Sequence, residues 1–161
     1  MLIWRSPPDG WLLMALSIAA VQVVVISVGR LRAPYADDVE HYAKLLTRYV
    51  RLTQVELRET PPRDPAGRVA SRLPPGAFVS LLAADGDALD STGFARFVEE
   101  RRAAGRDLAF VIGGAFGLEL PAADHRLSLG PMTLPHQLAR VVLLEALFRA
   151  HRIILGEPYH H

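Results

Sequence analysis

The chain has 161 residues, no cysteine and a formal net charge of +1. That length suits one domain of ordinary size with a real core, and a 50% hydrophobic content excludes intrinsic disorder, which needs low hydrophobicity and high net charge. The lack of cysteine excludes a disulfide scaffold, thiol catalysis and Cys-ligated zinc or iron–sulfur. The near-neutral charge excludes a uniformly basic nucleic-acid binder but leaves room for a local basic patch.

The run from Trp11 to Val28 contains no charge and has the length of a membrane span. With Arg5 upstream and the small Ala19 and Ala20, it also resembles a signal peptide. Two details argue otherwise. Asp9, Pro7 and Pro8 leave the preceding segment scarcely positive, and the run changes character midway. Up to Ala20 it is rich in Leu, Ala and Met; from Val21 to Val28 it is β-branched and stops at Gly29. Such a segment reads as a buried strand of a parallel sheet. Residues 1–20 are then an N-terminal extension, and residues 21–161 a single domain.

Pro34 suits the first position of a helix reaching about Val50, with Asp37, Asp38 and Glu40 early and Lys44, Arg48 and Arg51 late, as the helix dipole favours. A strand is predicted over residues 53–57. Residues 60–76, rich in Pro and Gly, leave room for a short helix near residues 66–73. A further strand over residues 77–82 runs into the turn Asp85-Gly86-Asp87. Asp90 or Ser91 caps a helix ending at Ala104, with Gly105 following it. A strand over residues 108–112 enters Gly113-Gly114-Ala115-Phe116-Gly117. A short helix over residues 120–125 and a brief strand over 127–129 precede a last helix from Pro135 to about Ile154. This alternation predicts an α/β fold: a mainly parallel sheet with helices on both faces.

The last helix places Leu138, Val141, Val142, Leu144, Leu147 and Phe148 around nearly its whole circumference. A surface helix shows one apolar stripe, so burial on several sides is expected. A two-fold dimer would supply it; a helix sandwiched between sheet and tail is the alternative.

The glycine run after residue 112 lacks the spacing of a dinucleotide fingerprint and has no Gly-Lys-Ser/Thr of a P-loop. It suits close backbone approach to an adenine or ribose, or simply a tight turn. Leu129-Gly130-Pro131-Met132-Thr133-Leu134-Pro135-His136 is stiff and irregular, suited to wrapping a flat heterocycle or to entering a helix. His136 and Arg140 share a helix face, while Glu145 and Arg149 repeat that spacing on the opposite side as a local ion pair. Tyr159 and His160, with Arg140, Arg149 and Arg152, form a cationic, stacking-capable set suited to RNA, unless the His-His end is a tag remnant. There is no HExxH, no zinc-spaced histidine set and no Gly-x-Ser-x-Gly.

Three ordered segments carry a resemblance. They are Phe110-Val-Ile-Gly-Gly-Ala-Phe-Gly117, Leu127-Ser-Leu-Gly-Pro-Met-Thr-Leu-Pro-His-Gln-Leu-Ala-Arg-Val-Val-Leu-Leu-Glu-Ala-Leu-Phe-Arg-Ala150 and Gly156-Glu-Pro-Tyr-His160. Together they resemble the ribosomal RNA large subunit methyltransferase H family, SPOUT-class enzymes that methylate N3 of a pseudouridine in 23S rRNA. The resemblance covers about residues 21–161. It implies a C-terminal trefoil-knotted α/β fold, S-adenosylmethionine as methyl donor and a homodimer. Cofactor contacts are implied at Leu82, Gly113, Leu129, Gly130, Pro131, Met132, Thr133 and Leu134. His136, Arg140, Arg149, Tyr159 and His160 would form the dimer and RNA side.

Three departures stand out. Ala83 occupies a position where the family often has Asp, with Asp85 two residues on. Residues 60–76 are shorter and richer in proline than the family's helix there. Residues 1–20 have no counterpart, as an over-extended start would explain, with Val21 encoded by an alternative initiation codon. The implied reaction is methyl transfer to N3, which must lose its proton. His136 is the candidate base or orienter, Arg140 the contact to RNA or cofactor carboxylate, and Tyr159 and His160 the holders of the nucleotide. A chain of charge +1 grips free RNA poorly, so the expected partner is an assembled ribosome, in the cytoplasm, with neither membrane nor metal.

Overall fold

The computed structural model describes residues 21–59 and 64–158. Five strands, β1 (Gln22–Val28), β2 (Arg51–Leu57), β3 (Phe78–Ala88), β4 (Leu108–Ile112) and β5 (His125–Ser128), form one sheet in the order β2-β1-β4-β3-β5, every neighbouring pair parallel. The helices are α1 (Tyr35–Leu46), α2 (Pro65–Ala70), α3 (Ser91–Ala103) and α4 (His136–Ile154).

The β-branched run after Ala20 is β1, an interior strand between β2 and β4, and its lack of polar alternation follows from burial on both faces. Val23 and Val25 join the core formed with α1, α3 and α4, while Val24 and Ile26 join the core on the other face. That second face is covered by Val69 of α2 and by Leu118, Leu120 and Ala123 of the segment between β4 and β5. Helices therefore lie on both faces, with the three long ones on one. Asp107 ties the strand starts together: its carboxylate accepts from Gln22 N–H at 2.8 Å and its carbonyl from Phe78 N–H at 2.7 Å. The first part of the uncharged run, residues 11–20, lies outside the described residues. Among the described residues no helix is long and apolar enough to cross a membrane.

Sequence and structure differ in several places. The first helix ends at Leu46 rather than near Val50, and Arg51 opens β2 instead of closing that helix. Asp85-Gly86-Asp87 does not end its strand: Leu82 and Asp87 both pair with Leu127, so residues 83–86 bulge out and β3 resumes beyond them. A Cβ on Gly86 would lie 2.6 Å from the Arg126 carbonyl, which is why glycine sits in this bulge. The helix expected over residues 120–125 is a turn, Ala123 N–H bonding the Leu120 carbonyl, before β5 begins at His125. Pro34 and Pro135 stand at the N-cap positions of α1 and α4, one residue before the helices start.

The all-round apolar α4 is explained largely within one chain. It lies over the sheet between α1 and α3, and Leu143, Leu144 and Leu147 are fully buried there. The outward stripe left over carries Leu138, Val142, Glu145 and Arg149, of which the last two pair at 2.7 Å as the spacing predicts. A relay running from the core to the surface links β3 to β5. Ser80 Oγ is 3.0 Å from His125 Nδ1, and His125 Nε2 is 3.1 Å from Asp87 Oδ2. Ser80 is fully buried, so its hydroxyl meets no substrate and the relay is structural.

His151 on α4 is fully buried, with Nδ1 2.7 Å from the Leu147 carbonyl. Burial pulls its pKa from 6.5 down to about 4, the carbonyl opposing and Arg102 assisting. Between those values the unfolded chain binds a proton that the folded chain refuses. The stabilisation is intact above pH 6.5 and shrinks as pH falls toward 4, by at most about 3 kcal/mol in all. Urea unfolding at pH 7 and pH 4.5 should show a smaller pH dependence for His151→Leu than for the unaltered chain. Equal dependence in both would refute the assignment.

Candidate functional site

Where β3, β4 and β5 finish, their following segments enclose a cavity of about 590 Å³, within the range of small-molecule sites at the carboxyl edge of a parallel sheet. Its apolar lining includes Leu82 from β3, Ile112 from β4, and Leu127, Leu129 and Leu134 from β5 and the loop after it. Gly113, Gly130, Met132, Thr133 and His136 complete the predicted residues found in its wall. Pro131 belongs to the same loop but is exposed outside the lining.

The glycines shape this space by close approach. A Cβ on Gly113 would sit 2.9 Å from Leu118 Cβ and 3.1 Å from its backbone nitrogen. The turn closes with Gly117 N–H donating to the Gly114 carbonyl at 3.0 Å, and Glu59 accepts from Ala115 N–H at 2.7 Å. A Cβ on Gly114 would meet that same carboxylate at 2.3 Å. The turn is thus clamped to the end of β2. At its tip Phe116 is 92% exposed, and Met132 on the facing loop is 78% exposed. Ser128 knits the other side. Its hydroxyl lies 3.1 Å from the Ala84 carbonyl in the β3 bulge and accepts from Gly130 N–H at 3.1 Å.

One rim is charged. Arg126 donates to Asp85 at 2.7 Å and to Glu119 at 3.3 Å, and the hydrogen bond from Arg126 holds the Asp85 carboxyl below its ordinary pKa. Asp85 therefore lines the cavity with its carboxylate already engaged by arginine.

His136 opens α4 with its ring packed on Gly29: a Cβ there would be 2.6 Å from Nε2. Gly29, at φ +108°, both takes the backbone turn after β1 and makes room for the ring. His136 Nε2 is buried without a hydrogen-bond partner among the described residues.

Arg140 departs from the sequence reading. It shares the face of His136, but that face points inward, and the residue is 6% exposed. Its Nε and Nη2 donate to Gln54 Oε1 at 3.1 and 2.9 Å, and Nη1 to Glu56 Oε2 at 3.3 Å. Burial lowers its pKa while Glu56 opposes. Glu56 also accepts from Leu31 N–H at 3.1 Å, so Arg140 fastens α4 to β2 and to the loop after β1. It does not line the cavity, because its donors are spent inside the fold. Arg149 lies on the outward stripe of α4, away from His136. Tyr159 and His160 lie outside the described residues.

Sequence reasoning missed Glu59, Leu118, Ser128 and the Arg126 rim. Glu59 and Ser128 act through backbone groups, which leave no side-chain spacing to read. Arg126 meets its two acids only because the β3 bulge brings Asp85 across β5.

A sequence profile of the family described as predicted SPOUT methyltransferases matches residues 21–160. A protein of Gemmatimonas aurantiaca is 42% identical over 154 residues, 87% of this chain and 99% of its own length. One of Solidesulfovibrio magneticus is 44% identical over 149 residues, 85% and 97% of the two chains. One of Sorangium cellulosum is 40% identical over 146 residues, 88% and 100%. All three are named ribosomal RNA large subunit methyltransferase H. With a parallel α/β sheet, a glycine-floored cavity at its carboxyl edge and a match across nearly the whole chain from Val21, this protein belongs to the SPOUT methyltransferase family.

Proposed function

We propose that the protein transfers a methyl group from S-adenosylmethionine to N3 of a pseudouridine in 23S rRNA, acting on the assembled ribosome as a homodimer. The observation that carries this reading is the convergence of Leu82, Gly113, Leu129, Gly130, Met132, Thr133 and Leu134 on one cavity, from strands far apart in sequence. The relatives' name supplies the rRNA substrate. The family's trefoil knot and the outward stripe of α4 as dimer face belong to the same reading.

The residues present fit the donor. Gly113 leaves backbone where a side chain would collide with Leu118, the leucines offer an apolar bed, and the 129–134 loop offers backbone polar groups to a heterocycle. Bound there, S-adenosylmethionine supplies an electrophilic methyl group. The protein's part is placement and proton control. Leu82, Gly113 and the loop residues Leu129, Gly130, Met132, Thr133 and Leu134 hold the donor, while Pro131, outside the lining, stiffens that loop. His136 orients the wall between this loop and Gly29. Because α4 carries the chain's end away from its own cavity, Tyr159 and His160 of one copy of the homodimer hold the nucleotide at the other copy's cavity, with Phe116 as an aromatic platform at the turn tip. Arg140 positions these parts without touching either reactant.

The decisive experiment incubates the purified chain with methyl-labelled cofactor and intact ribosomes. Label should enter 23S rRNA, and naked 23S fragments should be labelled far less. Ribosome binding without transfer would mean a non-catalytic RNA-binding member instead.

Gly113→Ala should push on Leu118 and weaken cofactor binding by roughly tenfold or more, with a stability loss of about 1–3 kcal/mol, comparable to overpacking a core. Calorimetric titration and urea unfolding separate the two effects, and unchanged cofactor affinity would remove Gly113 from the site. Arg140→Met should cost about 1–3 kcal/mol by stranding Gln54 and Glu56, while cofactor affinity measured on the remaining folded protein stays near normal. His160→Ala should depress methylation of ribosomes without changing cofactor affinity; unaltered methylation would refute the role of the tail.

A further inference from the structure

A second cavity, of about 370 Å³, opens at the other edge of the sheet, where α1, α3 and α4 end. It is lined by Arg48, Tyr49, Arg102, Arg152, Leu155 and Glu157. Three guanidiniums thus face one carboxylate. Glu157 accepts from Tyr49 OH at 2.8 Å and lies 3.5 Å from Arg152, whose Nη2 also donates to the Pro158 carbonyl. Arg48 and Arg102 gain nothing from these contacts.

Arg102 is the anomaly. It is 8% exposed, its Nε is buried without an acceptor, and its guanidinium makes no hydrogen bond or ion pair with any described residue. Glu99, three residues earlier, acts on it only through longer-range attraction. A buried charge without hydrogen bonds is costly and rare. The helix dipole favours a cation at the end of α3, but that benefit needs neither burial nor an orphaned Nε. Favourable bonds to the last carbonyls of the helix are not made either. What the guanidinium lacks is an acceptor in the cavity that it lines.

We infer that this cavity is a phosphate-binding site, in which Arg102, Arg48 and Arg152 take a phosphodiester of the rRNA backbone and Glu157 lies across part of the site when no RNA is present. A phosphate matches the guanidinium fork better than a single carboxylate does, because its oxygens serve several forks at once. The three helix C-termini project negative potential here, so one arginine would not hold an anion; a cluster of three does. The ligand is not the methyl donor held by the same chain, since α4's 19 residues separate the two cavities by roughly 28 Å at about 1.5 Å per residue. A polymer with regularly spaced phosphates reaches both. The RNA assignment rests on the rRNA methyltransferase reading; the anion site does not.

The test uses the full chain and inorganic phosphate as probe, following the arginine Nε–H resonances by ¹⁵N NMR. The Arg102 signal should shift saturably. Arg48→Gln should weaken phosphate binding by roughly tenfold, the effect of a lost charge-assisted hydrogen bond. Glu157→Gln, which removes the competing carboxylate, should strengthen it. With intact ribosomes and methyl-labelled cofactor, Arg48→Gln should raise KM more than it lowers kcat and flatten the salt dependence by about one phosphate contact. Absence of a saturable shift in the unaltered chain would overturn the site. Saturable phosphate binding with unchanged ribosome KM and salt slope in Arg48→Gln would overturn the rRNA assignment and leave an anion site. Phosphate binding by a chain that methylates no ribosome would uphold the site while defeating the proposed function.

Discussion

All five strands point the same way, and this one constraint organises the molecule. A parallel sheet needs a crossover for every return, so the long helices run back against the strands. Strand carboxyl ends therefore gather at one edge and the C-terminal ends of α1, α3 and α4 at the other. The two edges differ chemically as a result. One has loops with free backbone groups and room for a heterocycle. The other has helix ends whose negative potential favours arginines, and Arg48, Arg102 and Arg152 collect there. Neither cavity needs a special insertion; both follow from strand direction.

Within the carboxyl edge, shape is set by places where backbone replaces side chain. Gly86 lets the β3 bulge lie on the Arg126 carbonyl, Gly113 lets its turn lie on Leu118, and Gly29 admits the His136 ring. Each contact would be below 3.0 Å for a Cβ, so a larger residue would force backbone or ring to move. The three glycines come from β3, β4 and the end of β1, and they bring their strands' loops toward one space. Glu59 and Ser128 then fix those loops through main-chain hydrogen bonds. A rigid enclosure of this kind pays ordering entropy at folding rather than at ligand binding.

How much of this was legible depended on whether the determining contact was local. Gly105 as helix terminator, Asp90 as N-cap and the Glu145–Arg149 pair were readable because each acts within one helical turn. The β-branched run from Val21 was readable because its burial on both faces erases alternation. The bulge at residues 83–86 was not, since Asp-Gly-Asp is a turn signal until β5 supplies a strand for it to cross. The wall residues of the carboxyl-edge cavity were reached through resemblance, and no spacing between Leu82, Gly113 and Leu129 encodes their meeting. Likewise α4 left a second chain and a sandwich within one chain both open, because the sequence does not say that α1 and α3 flank it on both sides.

The two buried arginines make the same point about charge. Arg140 sat one turn from His136 and near the implied site, which suggested contact with a reactant. In the fold it is matched: Gln54 and Glu56 take up Nε and both Nη groups, and the charge is structural. Arg102 looked like an ordinary basic residue in the last turn of a helix. It is nearly as buried as Arg140, yet its donors face a cavity instead of partners. Burial alone therefore does not separate a structural arginine from a binding one. What separates them is whether the donors are satisfied by the chain itself. By that measure, of these two buried arginines the one open to a ligand lies at the far edge of the sheet, and the one nearer the carboxyl-edge cavity is already taken.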